Sequence, residues 1–310
     1  MAPLGGVVRG TRRVNLRGGA VRNLGLLVAL FGAIAALVFV APTAQTQLTR
    51  AAATPVARHP HAAPARKKAP KRPAKAKHGK VKARLDVDPA SNIAPQPNFV
   101  SDCPPQTVTV ACVNEALAAI NNARSAEQLA PMTLRVAAFL ALTASQQLFV
   151  ITNLERVARG LMPATAMTTQ LDAAAAAGAR ANADPVLKGW NLTGNRPAVE
   201  WSSNWAGDLN GFGADYYWLY ADGVGVNIDC KVAGATGCWE HRENVLMSSP
   251  TPALCGGAGA PTQLMGVSYQ ATGYQNTPSI AELYVGSCGA LPTDIVFTWT
   301  QAEQLLGIST

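Results

Sequence analysis

The chain has 310 residues, with 26 Lys/Arg, 18 Asp/Glu and a formal charge of +8, a length that suits one sizeable domain plus extensions. The charge is segregated: Met1 to Arg84 holds 17 basic residues and no acid, and the remainder holds 9 basic residues against 18 acidic ones. An acidic globular part argues against nucleic acid and anionic membrane as its partners, whereas the basic segment fits an anionic surface.

Leu24 to Ala41 is an uncharged apolar run preceded by Arg9, Arg12, Arg13, Arg17 and Arg22. It reads as an export signal or a membrane anchor, with the arginines inside and the rest of the chain outside. The run is long for a signal core and just long enough to span a bilayer. Residues 24–41 therefore either anchor the protein or are lost in a cleaved signal after Ala44 or near Ala51–Ala53. From about Gln45 to Pro97 the chain is rich in Ala, Pro, Lys and Arg, and 66–84 reads RKKAPKRPAKAKHGKVKAR. Such a segment cannot bury a core and is expected to be a disordered spacer. Residues 58–84 also have the charge to adhere to an anionic wall polymer.

Beyond the linker, Ala111 to Leu129 has helical spacing, with Val113, Leu117, Ile120 and Ala123 on one face. Helices are expected over Leu134 to Phe149 and Gln146 to Gly160, followed by an alanine-rich helix from Thr168 to Ala183. Residues 190–230 are rich in Gly, Asn, Asp and aromatics, with a short helix around Ala214 to Tyr220. Another helix is expected to begin near Trp239. Gln263 to Ala271, Ser279 to Val285 and Ile295 to Trp299 read as strands. Helices first and strands later, without β-α alternation, predict an α+β fold with an antiparallel sheet.

The six cysteines, Cys103, Cys112, Cys230, Cys238, Cys255 and Cys288, all lie after the linker. Export would pair them. Local closure costs least entropy, which favours Cys103–Cys112, Cys230–Cys238 and Cys255–Cys288 among the possible pairings. No C-x-x-C pair is present. His59, His61 and His78 lie in the basic segment, so His241, in the run CWEHRENVL (238–246), is the lone histidine of the globular part. Any imidazole chemistry there runs through His241. One imidazole is too few for a usual zinc site, so no metal and no cofactor is expected.

Several of these segments, taken in order, resemble the CAP superfamily of cysteine-rich secretory, antigen 5 and pathogenesis-related 1 proteins, in a secreted actinobacterial-type form. NLERVARGLMPATAMTTQLDAAAAAGARANADP (153–185) is similar to its opening N-x-x-R helix, "GL-x-P" and L-x-x-x-A helix, with Asn153, Arg156, Gly160, Leu161 and Pro163 in those places. SSNWAG (202–207) looks like "G-E-N-I-A", CWEHRENVL resembles "G-H-R-x-N-I-L", and QLMGVSY (263–269) looks like the following "I-G-V-G" strand. Residues 119–134 also imitate the opening motif. The resemblance implies a three-layer α-β-α sandwich with a central antiparallel sheet and a cleft. With the compositional segments above, it gives a signal or anchor (1–44), a linker (45–97), a helical extension (98–149) and a CAP-like domain (150–310).

Family members often place two histidines and two acids in that cleft. Here His241 matches the second histidine. The first is absent, with Asp184 the nearest polar residue; Ser203 stands where a glutamate is expected, and Asp222 lies one step beyond the place of the second acid. With Trp205 and Trp239 these residues form the expected binding cleft. Trp201, Trp218, Tyr216, Tyr217 and Tyr220 either pack the core or add an aromatic wall. The reading that results is an exported, non-enzymatic domain binding an envelope lipid or glycan around His241. Its rivals are a hydrolase of peptidoglycan or another envelope polymer with a reduced site, and an adhesion module acting through the basic linker.

Overall fold

A computed structural model describes residues 88–189, 191–194, 196–222 and 238–308. The apolar run 24–41, the basic segment 58–84 and Cys230 lie outside the described residues. Among the described residues no helix is long and apolar enough to cross a membrane.

The first part of the domain is helical: α1 (Phe99–Asp102), α2 (Val110–Ala126), α3 (Val136–Leu140) and α4 (Ala144–Ala158). Helix α2 starts where Thr109 Oγ1 accepts from the Cys112 N–H, and it buries Val113, Ala116, Ile120 and Ala123. The helix expected over 134–149 is broken: α3 ends at Leu140, and Thr143 opens α4 with a capping box to Gln146. Helix α4 runs unbroken across residue 149.

Strand β1 (Ala166–Thr168) leads into α5 (Thr169–Ala181), then come β2 (Asn191–Leu192), β3 (Arg196–Gly207), α6 (Gly211–Tyr220), α7 (Glu240–Val245), α8 (Pro252–Cys255), β4 (Pro261–Tyr274), β5 (Thr277–Cys288), β6 (Ile295–Thr298) and α9 (Trp299–Leu306). The fold is α+β, as the sequence predicts. Its six-stranded sheet has the order β2-β3-β5-β4-β1-β6. The sheet is mixed and not wholly antiparallel, because β1 pairs parallel with β4. The reason is connectivity: β1 is reached from α4 and not through a hairpin, so nothing forces it to reverse against β4.

Strand periodicity separates two sets of side chains. Leu264, Leu283 and Val285 pack with Leu171 of α5. Met265, Val267, Ile280 and Tyr284 join a larger core with residues of α2, α4 and α6. Two glycines allow close approaches here. A Cβ on Gly266 would lie 2.2 Å from the Leu171 backbone, so its absence lets α5 press onto β4. A Cβ on Gly178 would meet the backbone of Ala183 and Pro185 at 2.8 Å, so Gly178 lets the segment carrying Asp184 fold back across α5.

Cys103–Cys112 and Cys255–Cys288 are bonded, with Cα separations of 5.1 and 5.6 Å. Cys238 is disulfide-bonded too, while the Cys230 half of the third expected pair lies outside the described residues. Two disulfides fit an oxidising environment. Alkylation of the native, non-reduced protein should label none of the five described cysteines. Opening one of the two bridges by paired Cys→Ser substitution should cost about 2–4 kcal/mol in denaturant unfolding.

Candidate functional site

Helix α7 has six residues and carries His241 in its first turn. It has no side-chain cap, and Trp239 before it adopts a left-handed backbone, φ 66° and ψ 10°. That conformation is costly for a bulky residue. The Trp239 indole is fully buried, so it packs beneath the site and offers no wall to a ligand.

His241 Nδ1 lies 2.6 Å from Asp222 Oδ1, and Asp222 Oδ2 accepts from the His241 backbone N–H at 3.3 Å. Both oxygens of one carboxylate thus fix one residue. Asp222 is 2% exposed, while the imidazole remains 32% exposed. Among the described residues no partner bonds to Nε2. Burial works against a charged ring, but the hydrogen bond and charge of Asp222, with the charges of Asp184 and Glu240, hold the His241 pKa above its ordinary value. Asp184 completes the group from the segment after α5. Its carboxylate accepts from the Trp205 backbone N–H and faces the charge of His241.

Ser203 and Trp205 do not join them. Ser203 pairs with Leu283 across the sheet and Asn204 with Glu282, so Ser203 and Trp205 share the face that Leu283 turns to α5. The Ser203 hydroxyl donates to Pro185 O at 2.7 Å. Trp205 Nε1 donates to Ser279 Oγ at 2.8 Å, and its ring meets Tyr274 edge-on. One step along the strand places Asn204 on the face of α7. A serine nucleophile aimed at His241 is therefore not built here. Tyr216, Trp218 and Tyr220 are core residues, at most 3% exposed.

The residues that hold α7 to the sheet were not singled out from the sequence. Asn204 Nδ2 donates to His241 O at 3.1 Å and to Glu282 Oε1 at 2.9 Å. Asn244 Nδ2 donates to Ser203 O and to Asn204 Oδ1, and Ser202 Oγ donates to Asn244 O. Two amides and a hydroxyl thus tie both ends of the short helix to β3. Glu282 is fully buried. Burial pushes its carboxyl up to about 7, against the opposing Asn204 hydrogen bond and the charges of Arg156 and His241. The available signal was a single acid inside the apolar run SIAELYV, which reads as a strand and has no neighbouring base.

Chemically, the Asp222–His241 pair is an imidazole with a fixed tautomer and raised basicity, with Asp184 beside it. Such a pair can accept or donate a proton at Nε2, or hydrogen-bond a hydroxyl-bearing ligand. Among the described residues no group of three or more His, Cys, Asp or Glu side chains is placed to hold a metal ion. Comparison with protein-family models, with curated proteins and with solved structures gives no significant match.

Proposed function

We propose that this chain is an exported CAP-like domain that binds a hydroxyl-bearing envelope ligand, a glycan or a lipid headgroup, at His241. The single observation that carries the reading is the Asp222–His241 pair, in which a buried carboxylate holds Nδ1 and leaves the ring partly exposed. Asp184 adds an acceptor at the same place. The CAP assignment is supported by what its motif residues do here. Asn153 makes paired hydrogen bonds with the Ala164 backbone, and Arg156 reaches the carbonyls of Met162, Val245 and Met247. The N-x-x-R helix is thereby clamped to the segment that follows it and to the end of α7. The packing of α5 with Leu283 on one face of the sheet, and of Arg156 of α4 over the Tyr284 ring on the other, is what a three-layer arrangement would require.

The test is an NMR titration of the exported protein with soluble muropeptides and with short-chain lipid headgroups. Binding should shift the His241 ring resonances, and His241→Ala or Asp222→Asn should weaken it by about tenfold, the value of one lost hydrogen bond to a charged group. If neither ligand class perturbs His241, the reading fails.

A hydrolase is the second reading, and the 2.6 Å Asp222–His241 contact favours it, since a carboxylate on Nδ1 makes Nε2 a better general base. With Ser203 turned to the other face, the nucleophile would be a water. Polymer cleavage that His241→Ala abolishes in a folded protein would select this reading over simple binding.

A further inference from the structure

We infer that Glu127, at the end of α2, is a positioning residue for the Asp222–His241 pair and acts through Arg242. The inference rests on the reading that this pair is the functional centre, and its test reads the pair directly, with no ligand present.

Arg242 follows His241 in α7, but its side chain runs the other way, into the interior, and is 2% exposed. Its Nη1 donates to Leu219 O at 2.5 Å. Leu219 lies in the last turn of α6, three residues before Asp222. One guanidinium therefore spans the two elements that carry the pair: the residue after His241 and the turn that delivers Asp222. Glu127 sets the plane of that guanidinium. Its Oε1 accepts from Nη1 at 2.9 Å and its Oε2 from Nη2 at 3.1 Å, a two-pronged contact that fixes orientation as well as distance.

Glu127 is itself held. Arg159 Nη2 donates to its Oε2 at 2.7 Å, and Arg159 is fixed in turn by Glu155 and by Tyr220 Oη at 3.2 Å. Arg124 lies 3.3 Å from Glu155. Three arginines and two glutamates thus form one network joining α2, α4, the end of α6 and α7. Asp88, at the start of the described chain, also lies within reach of the charges of Arg242 and Asp222.

Such a network is a poor device for stability alone, because desolvating the charges offsets most of their attraction. It is well suited to fixing geometry, and α7 needs that help. Six residues without a side-chain cap cannot hold a helix in place by local energy. The ties through Asn204 and Asn244 fix α7 to β3, but they do not reach the element that carries Asp222. The Arg242–Leu219 contact does, and Glu127 fixes the guanidinium that makes it. A residue of the N-terminal helical part thereby sets the separation of the two site residues.

The experiment uses the exported protein and its single globular-part histidine. The His241 Hδ1 proton, assigned by its loss in His241→Ala, resonates far downfield while it is held in a short bond to Asp222. In Glu127→Gln that resonance should move upfield or broaden, and the His241 titration midpoint should fall towards the ordinary histidine value, in a domain that still unfolds cooperatively. Arg242→Lys keeps every charge but loses the two-pronged contact, so it should produce the same loss. It also serves if Glu127→Gln does not fold. Glu127→Asp, with the charge kept and the reach shortened, should lie between. A folded Glu127→Gln protein with an unchanged Hδ1 resonance and midpoint would overturn the inference. So would a loss in Glu127→Gln that Arg242→Lys does not share, because Glu127 would then act by its charge and not by position.

Discussion

Stability of the domain should fall as the pH rises from about 5 to 8, and Glu282→Gln should make that fall measurably shallower. Glu282 is fully buried, and its carboxyl is pushed from 4.5 up to about 7. A group whose pKa is higher folded than unfolded binds its proton more tightly in the folded state. Its contribution is intact below the unfolded value and is lost as the pH climbs to the folded one. For Glu282 that window runs from about 4.5 to about 7 and is worth on the order of 3 kcal/mol. Three other groups act with the same sign. Burial pushes Asp172 up to about 6 and holds the Asp215 carboxyl well above its usual range. His241 is raised as well, so its contribution is lost as the pH rises through its folded value.

Glu155 acts oppositely. It is buried too, but the charges of Arg159 and Arg124 bring it below the usual range, and its contribution is lost only in acid. The optimum should therefore lie below about pH 5. Glutamine is the isostere of the protonated acid and keeps an oxygen for Asn204, so it should retain the fold without the titration. Denaturant unfolding of both proteins at pH 5, 6.5 and 8 measures this. A wild-type stability that is flat over that range, or a Gln variant with the same slope, would rule out a proton held on Glu282.

The largest loss should come from Arg156→Met. Arg156 is fully buried and donates to three backbone carbonyls: Met162 O at 3.1 Å, Val245 O at 2.5 Å and Met247 O at 3.0 Å. Its guanidinium also sits 5.5 Å from the centre of the Tyr284 ring. Methionine fills similar volume but leaves three carbonyls without their donor. An unsatisfied buried group costs about 1–3 kcal/mol; the Val245 contact is buried and the other two are partly buried, so the expected loss is on the order of 3 kcal/mol. Arg156→Lys should recover only part of it, because an ammonium is a point donor and cannot match three separated acceptors. Val245 and Met247 flank the end of α7, so the Met variant should also disturb the His241 resonances. A urea midpoint within the error of wild type would show that water replaces the lost donors.

Wherever a single local rule decides an element, the sequence was sufficient. The apolar stripe of Val113, Ile120 and Ala123 marks α2, and the alanine run with its threonine start marks α5. Alternation marks β4 and β5, and short spacing pairs Cys103 with Cys112 and Cys255 with Cys288. The isolation of His241 in the globular part needs no coordinates at all. Strand β3 escaped notice because its alternation is hidden. Ser202, Ser203, Asn204 and Trp205 are polar or amphipathic on both faces, and each finds a partner in a distant segment, Asn244, Pro185, Glu282 and Ser279. Periodicity reports only apolar faces, so a strand held by side-chain hydrogen bonds reads as a loop.

The same limit applies to the site. The sequence could single out His241, Asp184 and Asp222 as polar groups near one motif, but it could not say that Asp222 meets Nδ1 while Ser203 turns away. The turning away of Ser203 depends on the register of β3 against β5, where a shift of one residue exchanges Ser203 and Asn204 between faces, and the Asp222 contact depends on how α7 docks against the end of α6. The burial of Glu282 and the reach of Glu127 to Arg242 depend likewise on which helices cover the sheet. Composition and spacing thus determined the fold class and the histidine available for chemistry; strand register and helix packing decided which charges surround that histidine, because burial and contact are properties of the assembled chain.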